Sequence, residues 1–201
     1  MVFTFLEVID ALLMTFLVGF IFSGFFKKEP QTREEVYASY EKPRSWIDWD
    51  ALLFAAMITA PAILLHELGH KIAALGFGMV ATFHAAYLWL FLGVVLKLLQ
   101  FPFIFFVPAY VSWGCSSAVC QASLSANPWI GSIIAIAGPL VNLLLWFGAW
   151  AYLRWGKPKR KWIQALVLTK RINLFLFVFN MLPLPPFDGF HFFAGLWHTF
   201  I

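Results

Sequence analysis

Four stretches of this chain, residues 2–26, 51–77, 129–152 and 162–184, are dominated by apolar residues over lengths that a folded soluble domain rarely needs. A bilayer core of ~30 Å takes roughly 20 such residues per helical crossing. The four stretches therefore predict an α-helical polytopic membrane protein, a bundle of about four full crossings. Composition agrees, because 62% of the 201 residues are hydrophobic and only 12% charged, about half the charge of a typical soluble domain. The net charge of +4 is spread over loops rather than gathered on one basic face, which argues against a nucleic-acid partner.

The chain divides into an N-terminal anchor with an interfacial loop, residues 1–50, and a membrane core, residues 51–201. The first stretch lacks a basic n-region and an A-x-A-like cleavage site and reads as a retained anchor. Glu7 and Asp10 near its start are expected at the interface, facing the positive end of the helix dipole. Residues 27–50 are mixed in charge and broken by Pro30 and Pro43, with Trp46 and Trp49 suited to the headgroup zone. Asp48 or Asp50 is available to cap the second crossing. Residues 78–128 fit no simple crossing. Ala85 to Gln100 reads as a helix, Pro102 and Pro108 interrupt the next apolar run, FIFFVPAYVSW has the aromatic and branched composition of a strand, and CSSAVCQASLSANP reads as a polar loop.

Against this background LLHELGHKIAAL, residues 64–75, places two histidines, a glutamate and a lysine inside an apolar helix. His66 and His70, four residues apart, share a helix face and can bind one metal ion with Glu67 beside it. Zinc takes nitrogen and oxygen ligands tetrahedrally, so a third protein ligand and one water position remain. Ionisable groups at membrane depth cost at least ~2–3 kcal/mol each on insertion scales, which favours a metal site over a chance match. The third ligand should be an acid or histidine at similar depth. Asp188 in NMLPLPPFDG fits, since Pro183, Pro185 and Pro186 forbid regular helix there, and irregular backbone at that depth must be buried in protein or line a wet cavity. The competing reading of Asp188 is a plain interfacial turn.

HELGH on a membrane helix, AGPLVN at 137–142 and NMLPLPPFDG at 180–189, in that order, resemble the site-2 protease family of intramembrane zinc metalloproteases. FGMVATFHAAYLWLFLG followed by FPFIFFVPAYVSW is similar to the segment that archaeal members place between the first two core helices. The resemblance covers about residues 51 to 190. It implies a membrane-embedded peptidase with one zinc ion per chain held by His66, His70 and Asp188, Glu67 as general base, and Asn180 near the reacting carbonyl. It also implies a transmembrane protein substrate and a multi-pass location in a prokaryotic cell membrane. The PDZ and CBS modules of some members have no counterpart here, nor do the helices often found after the aspartate motif.

Taking the 27–50 loop as one end of the bundle, His66 lies about 22 Å along the second crossing, near the opposite end, and Asp188 must lie there too. A single crossing by residues 78–128 would bring Leu184 out at the wrong end, so this segment is expected to enter and return, as a re-entrant helix and strand piece. Both basic loops, 27–50 and 154–161, then share one end. Positive-inside counting makes that end cytoplasmic, whereas the resemblance implies a site opening towards the cytoplasm at the other. A helical substrate must be unwound before cleavage, and Met79 to Phe83, or Ile104 to Trp113, is expected to supply a strand edge that pairs with it.

Of the remaining polar and small residues, Lys71 should snorkel to the interface, and His84, His191 and His198 should be structural. Gly138 and Pro139 serve either helix packing or a substrate role, and Asn142 bonds either to the site or to a neighbouring helix. Cys115 and Cys120 would pair in an oxidising compartment and stay free in a cytoplasmic loop. Two other classes compete with a peptidase: a membrane metal-ion transporter, which needs ligands along a path, and an inactive homologue that binds transmembrane partners. A prenyl-protein type of HExxH protease needs a downstream glutamate, and none occurs after Glu67.

Overall fold

The computed structural model describes residues 3–26, 30, 32–41, 47–101 and 107–201. Pro43, Trp46, Pro102 and Ile104 lie outside the described residues. The chain forms α1 (Phe5–Phe22), α2 (Arg33–Glu41), α3 (Trp49–Gly76), β1 (Val80–Ala85), α4 (Tyr87–Leu98), β2 (Ala109–Gly114), α5 (Ala118–Ala126), α6 (Trp129–Trp155), α7 (Arg160–Asn180) and α8 (Asp188–Phe200). Helices α1, α3, α6 and α7 are each long and apolar enough to cross a bilayer, which makes this an α-helical polytopic membrane protein.

Helix α3 is the central element and packs against α1, α6, α7 and both strands. Asp48, not Asp50, caps it, accepting the Ala51 N–H at 3.0 Å. The segment between α3 and α6 enters and returns. Strands β1 and β2 are antiparallel, with Val80 opposite Gly114 and Ala85 opposite Ala109, so the chain re-emerges beside the end of α3 where it went in. Helix α4 fills the turn of this excursion. One apolar cluster joins Met14, Val18 and Ile21 of α1 to Ile63, Phe83 and Leu90, and fixes the hairpin against the first helix. Helix α6 then runs back towards the basic loop, and α7 returns to bring Asn180 and the start of α8 to the level of His70.

Three expectations do not hold. Glu7 is not interfacial and Lys71 does not snorkel: they are 3% and 2% exposed and form a buried ion pair between α1 and α3. The cause is the sheet. Glu7 also accepts the Phe83 backbone N–H at 2.6 Å, while half-buried Asp10 accepts the Ala85 N–H at 3.1 Å and the Tyr87 hydroxyl. Carboxylates from α1 thus satisfy the outer donors of β1, as a third strand would, and Lys71 neutralises the deeper one. The stretch read as a polar loop contains α5, whose start is capped by the Ser117 hydroxyl accepting the Cys120 N–H at 3.2 Å. Small residues and a cap suffice for a short helix. At its start, Cys115 and Cys120 are joined by a disulfide.

Candidate metal centre

His66 and His70 stand one turn apart on α3, both buried, facing the start of α8. Their Nε2 atoms are 3.1 Å apart. Asp188, the first residue of α8, places Oδ2 3.1 Å from Nε2 of His66 and 3.3 Å from Nε2 of His70. All three donor atoms lie within 4.8 Å of one another, the one such group among the described residues. The closure depends on Gly189: a Cβ there would lie 2.4 Å from the Met181 carbonyl carbon, so only glycine lets the chain fold back at this point.

The orientation of the imidazoles is set by the partners of their other nitrogens. Nδ1 of His70 faces the Ile134 carbonyl at 2.7 Å, and Nδ1 of His66 faces Asn142 Oδ1 at 2.6 Å. The Asn142 amide nitrogen donates to the Ala62 carbonyl at 3.0 Å and to Asn173 Oδ1 at 2.9 Å, and Asn173 donates to the Thr169 carbonyl at 2.8 Å. Backbone carbonyls can only accept, so the chain of bonds has one polarity and both Nδ1 atoms carry the hydrogen. With Nδ1 occupied in this way, each ring turns its Nε2 towards the other and towards the Asp188 carboxylate. Three donor atoms so close together need a cation, a metal ion or a proton, among them. Two imidazole nitrogens and one carboxylate oxygen, with outer partners fixing the tautomers, form a donor set that suits a metal, zinc above all.

Gly138 makes room for this cluster. A Cβ at that position would sit 2.3 Å from Nε2 of His70 and 2.8 Å from Nε2 of His66. The glycine of AGPLVN therefore serves the site as well as helix packing, because it lets α6 pass directly over the two ligand atoms. Asn142 likewise serves both roles weighed for it, bonding to His66 and to the backbone of α3.

Glu67 is 8% exposed and directs its carboxylate at the Val111 backbone N–H of β2. Asn180, at the last turn of α7, lines the same cavity of about 900 Å³ as His66, Glu67, His70 and Asp188. Its side-chain amide has no hydrogen-bond partner among the described residues. His191 also lines that cavity, edge-on to Phe190, whereas His84 bonds the Ser112 hydroxyl at 2.9 Å and His198 is exposed near the end of α8. Asn173 was missed at the level of sequence. A signal for it existed, since it is the lone polar residue in INLFLFVF and lies seven residues before Asn180, on nearly the same helix face.

Over 147 residues the chain is 34% identical to a protein of Methanocaldococcus jannaschii named "Putative zinc metalloprotease MJ0611", an alignment spanning 72% of this chain and 72% of that protein. No family model and no solved structure matches the chain.

Proposed function

We infer that this chain, which belongs to the zinc metalloprotease family of its Methanocaldococcus jannaschii relative, is an intramembrane endopeptidase of the site-2 protease type. It hydrolyses a peptide bond within or near a transmembrane helix of a protein substrate, as a multi-pass component of a prokaryotic cell membrane. One observation carries the reading. His66, His70 and Asp188, brought together from α3 and α8, stand with Glu67 in a cavity walled by apolar helices.

In this reading His66, His70 and Asp188 hold one zinc ion, which when bound lowers the pKa of water towards ~7 and polarises the scissile carbonyl. Glu67 accepts the proton of the attacking water and delivers it to the leaving amide nitrogen. The unpartnered Asn180 amide donates a hydrogen bond to the oxygen on which charge develops. Asn142 and the Ile134 carbonyl keep both imidazoles aimed with Nε2 towards the metal position.

A peptide in a helix hides its carbonyls in internal hydrogen bonds, so the substrate must be held extended. The geometry favours one of the two edges considered. The outer N–H groups of Phe83 and Ala85 on β1 are taken by Glu7 and Asp10. Those residues lie opposite Val111 and Ala109. In an antiparallel ladder both members of such a pair turn their backbone groups away from each other. Val111 and Ala109 therefore present theirs on the outer edge of β2, which lines the cavity and where the Val111 N–H meets Glu67. Substrate adds to β2.

The deciding experiment is cleavage of a synthetic transmembrane peptide by the purified protein in detergent, with metal content measured in parallel. Glu67→Gln should lower turnover by about 10²–10⁴-fold, the usual worth of a general base, while zinc stays bound. Metal flux across proteoliposomes that survives this substitution, without peptide cleavage, would establish the transporter instead. Peptide binding without cleavage by the unsubstituted protein would establish the inactive homologue.

A further inference from the structure

Arg171 is the one cation in the wall of the catalytic cavity among the described residues. It sits within α7, on the face that also presents Leu168, Ile172, Phe175 and Phe179 to the cavity, so a single guanidinium interrupts an apolar lining at helical spacing. It has no ion pair and no hydrogen bond among the described residues. The acids that share the cavity, Glu67 and Asp188, are engaged elsewhere, at Val111 and at the histidines.

Position narrows what Arg171 can meet. It lies eleven residues after the first residue of α7, roughly 16 Å along the axis, which is about half the thickness of a bilayer core. A lipid phosphate therefore stays beyond the reach of its side chain. An ionisable group at this depth that faces a cavity rather than lipid characteristically pairs with a group on the transported or processed molecule. From Arg171 to Asn180 is nine residues, roughly 13 Å. An extended peptide covers that distance in about four residues and a helical one in about nine.

We propose that Arg171 is a specificity-determining residue that receives a carboxylate of the substrate, an Asp or Glu between about four and nine residues from the scissile bond, on the stretch leading towards the Arg160 end of α7. This rests on the peptidase reading above. The adjacent Lys170 does not line the cavity and plays no part in the selection.

The test is a series of otherwise neutral transmembrane peptides in which one Glu, or Gln at the same place, is walked along both sides of the bond cleaved in the parent peptide. With the unsubstituted protein, kcat/KM for the Glu peptide should exceed that for the Gln peptide by about ten-fold at one offset, the scale of a hydrogen bond to a charged group. Arg171→Gln should bring that ratio to about one, and Arg171→Glu should move the preference to a peptide with Lys at the same offset. Lys170→Gln should leave the ratio unchanged. A ratio tolerates a general loss of activity, and the same preference should appear in the Kd of the peptides for Glu67→Gln protein, where nothing is cleaved. Equal use of Glu and Gln at every offset overturns the role of Arg171 and leaves the peptidase reading intact. Absence of cleavage of any peptide, the parent included, overturns both.

Discussion

Asn142 is where metal affinity and helix packing meet, and substituting it separates them. In Asn142→Ala the Nδ1–H of His66 and Oδ1 of Asn173 lose partners in a region where Asn142 itself is wholly buried. Loss of an outer partner to a metal-binding histidine costs about 10–100-fold in affinity, or roughly 1.4–2.7 kcal/mol. The orphaned Asn173 oxygen adds ~1–3 kcal/mol of lost stability in the metal-free protein. Asn142→Asp behaves differently. Its carboxylate still accepts from His66, but its second oxygen now faces the Ala62 carbonyl and Asn173 Oδ1 with nothing to donate. Asn173 cannot turn to help, because its amide nitrogen is held by the Thr169 carbonyl. The alanine variant should therefore lose zinc affinity and stability together, and the aspartate variant mainly stability. Zinc affinity is measured by competition with a chromophoric chelator in detergent, and stability by thermal unfolding of the stripped protein. An alanine variant that binds zinc within two-fold of the unsubstituted protein would refute the bonding pattern deduced for His66.

Other contacts predict the behaviour of further substitutions. Lys71→Met leaves Glu7 charged and buried and should cost about 3–5 kcal/mol, whereas Glu7→Gln with Lys71→Met should recover most of it; additive losses in a double-mutant cycle would dissolve the pair. Gly138→Ala forces the His66 and His70 rings apart and should abolish zinc binding in a chelator titration while the helical circular dichroism persists. Val111→Pro removes an N–H that points away from β1, so the hairpin should survive, zinc should remain bound, and peptide cleavage should fall at least about ten-fold through loss of the contact that positions Glu67.

The helical spans were legible because each is an intrinsic property of one continuous stretch: length and apolarity decide it without reference to the rest of the chain. The pairing of His66 with His70 was legible for a related reason, since helix geometry fixes the relation of residues four apart. Contacts between distant segments were not legible in this way. An acid near a helix start is ordinarily interfacial, and nothing within α1 says that Lys71, 64 residues on, will meet Glu7. The same limit applies to β1 and β2, whose register is set across α4, and to the bond from Asn142 to Asn173 between neighbouring helices. Gly138 was ambiguous because a sequence shows that a side chain is missing but not which atoms occupy the space. Helix α5 escaped notice because small polar residues suit turns as well as a short capped helix.

A common constraint links these features. In lipid no water is available to satisfy a stray donor or acceptor, so backbone and side-chain polar groups must find partners within the protein or line a cavity. Among the described residues every buried side-chain nitrogen and oxygen has a partner. The Glu7, Asp10 and Lys71 group closes one edge of the hairpin, and the Asn142–Asn173 chain closes the gap between α3, α6 and α7. Among the described residues, unmet capacity on the cavity wall remains at the outer edge of β2 beyond the Val111 N–H, at the Asn180 amide and at the Arg171 guanidinium. Leaving these to lipid would cost several kcal/mol per group, so the cavity must hold either water or a polar chain. Under the peptidase reading, an unwound peptide would supply backbone groups for β2, a carbonyl for Asn180 and a carboxylate for Arg171, whereas a lipid tail supplies none of them. On that reading, exclusion of lipid and recognition of an extended peptide would both follow from the same unmet hydrogen bonds.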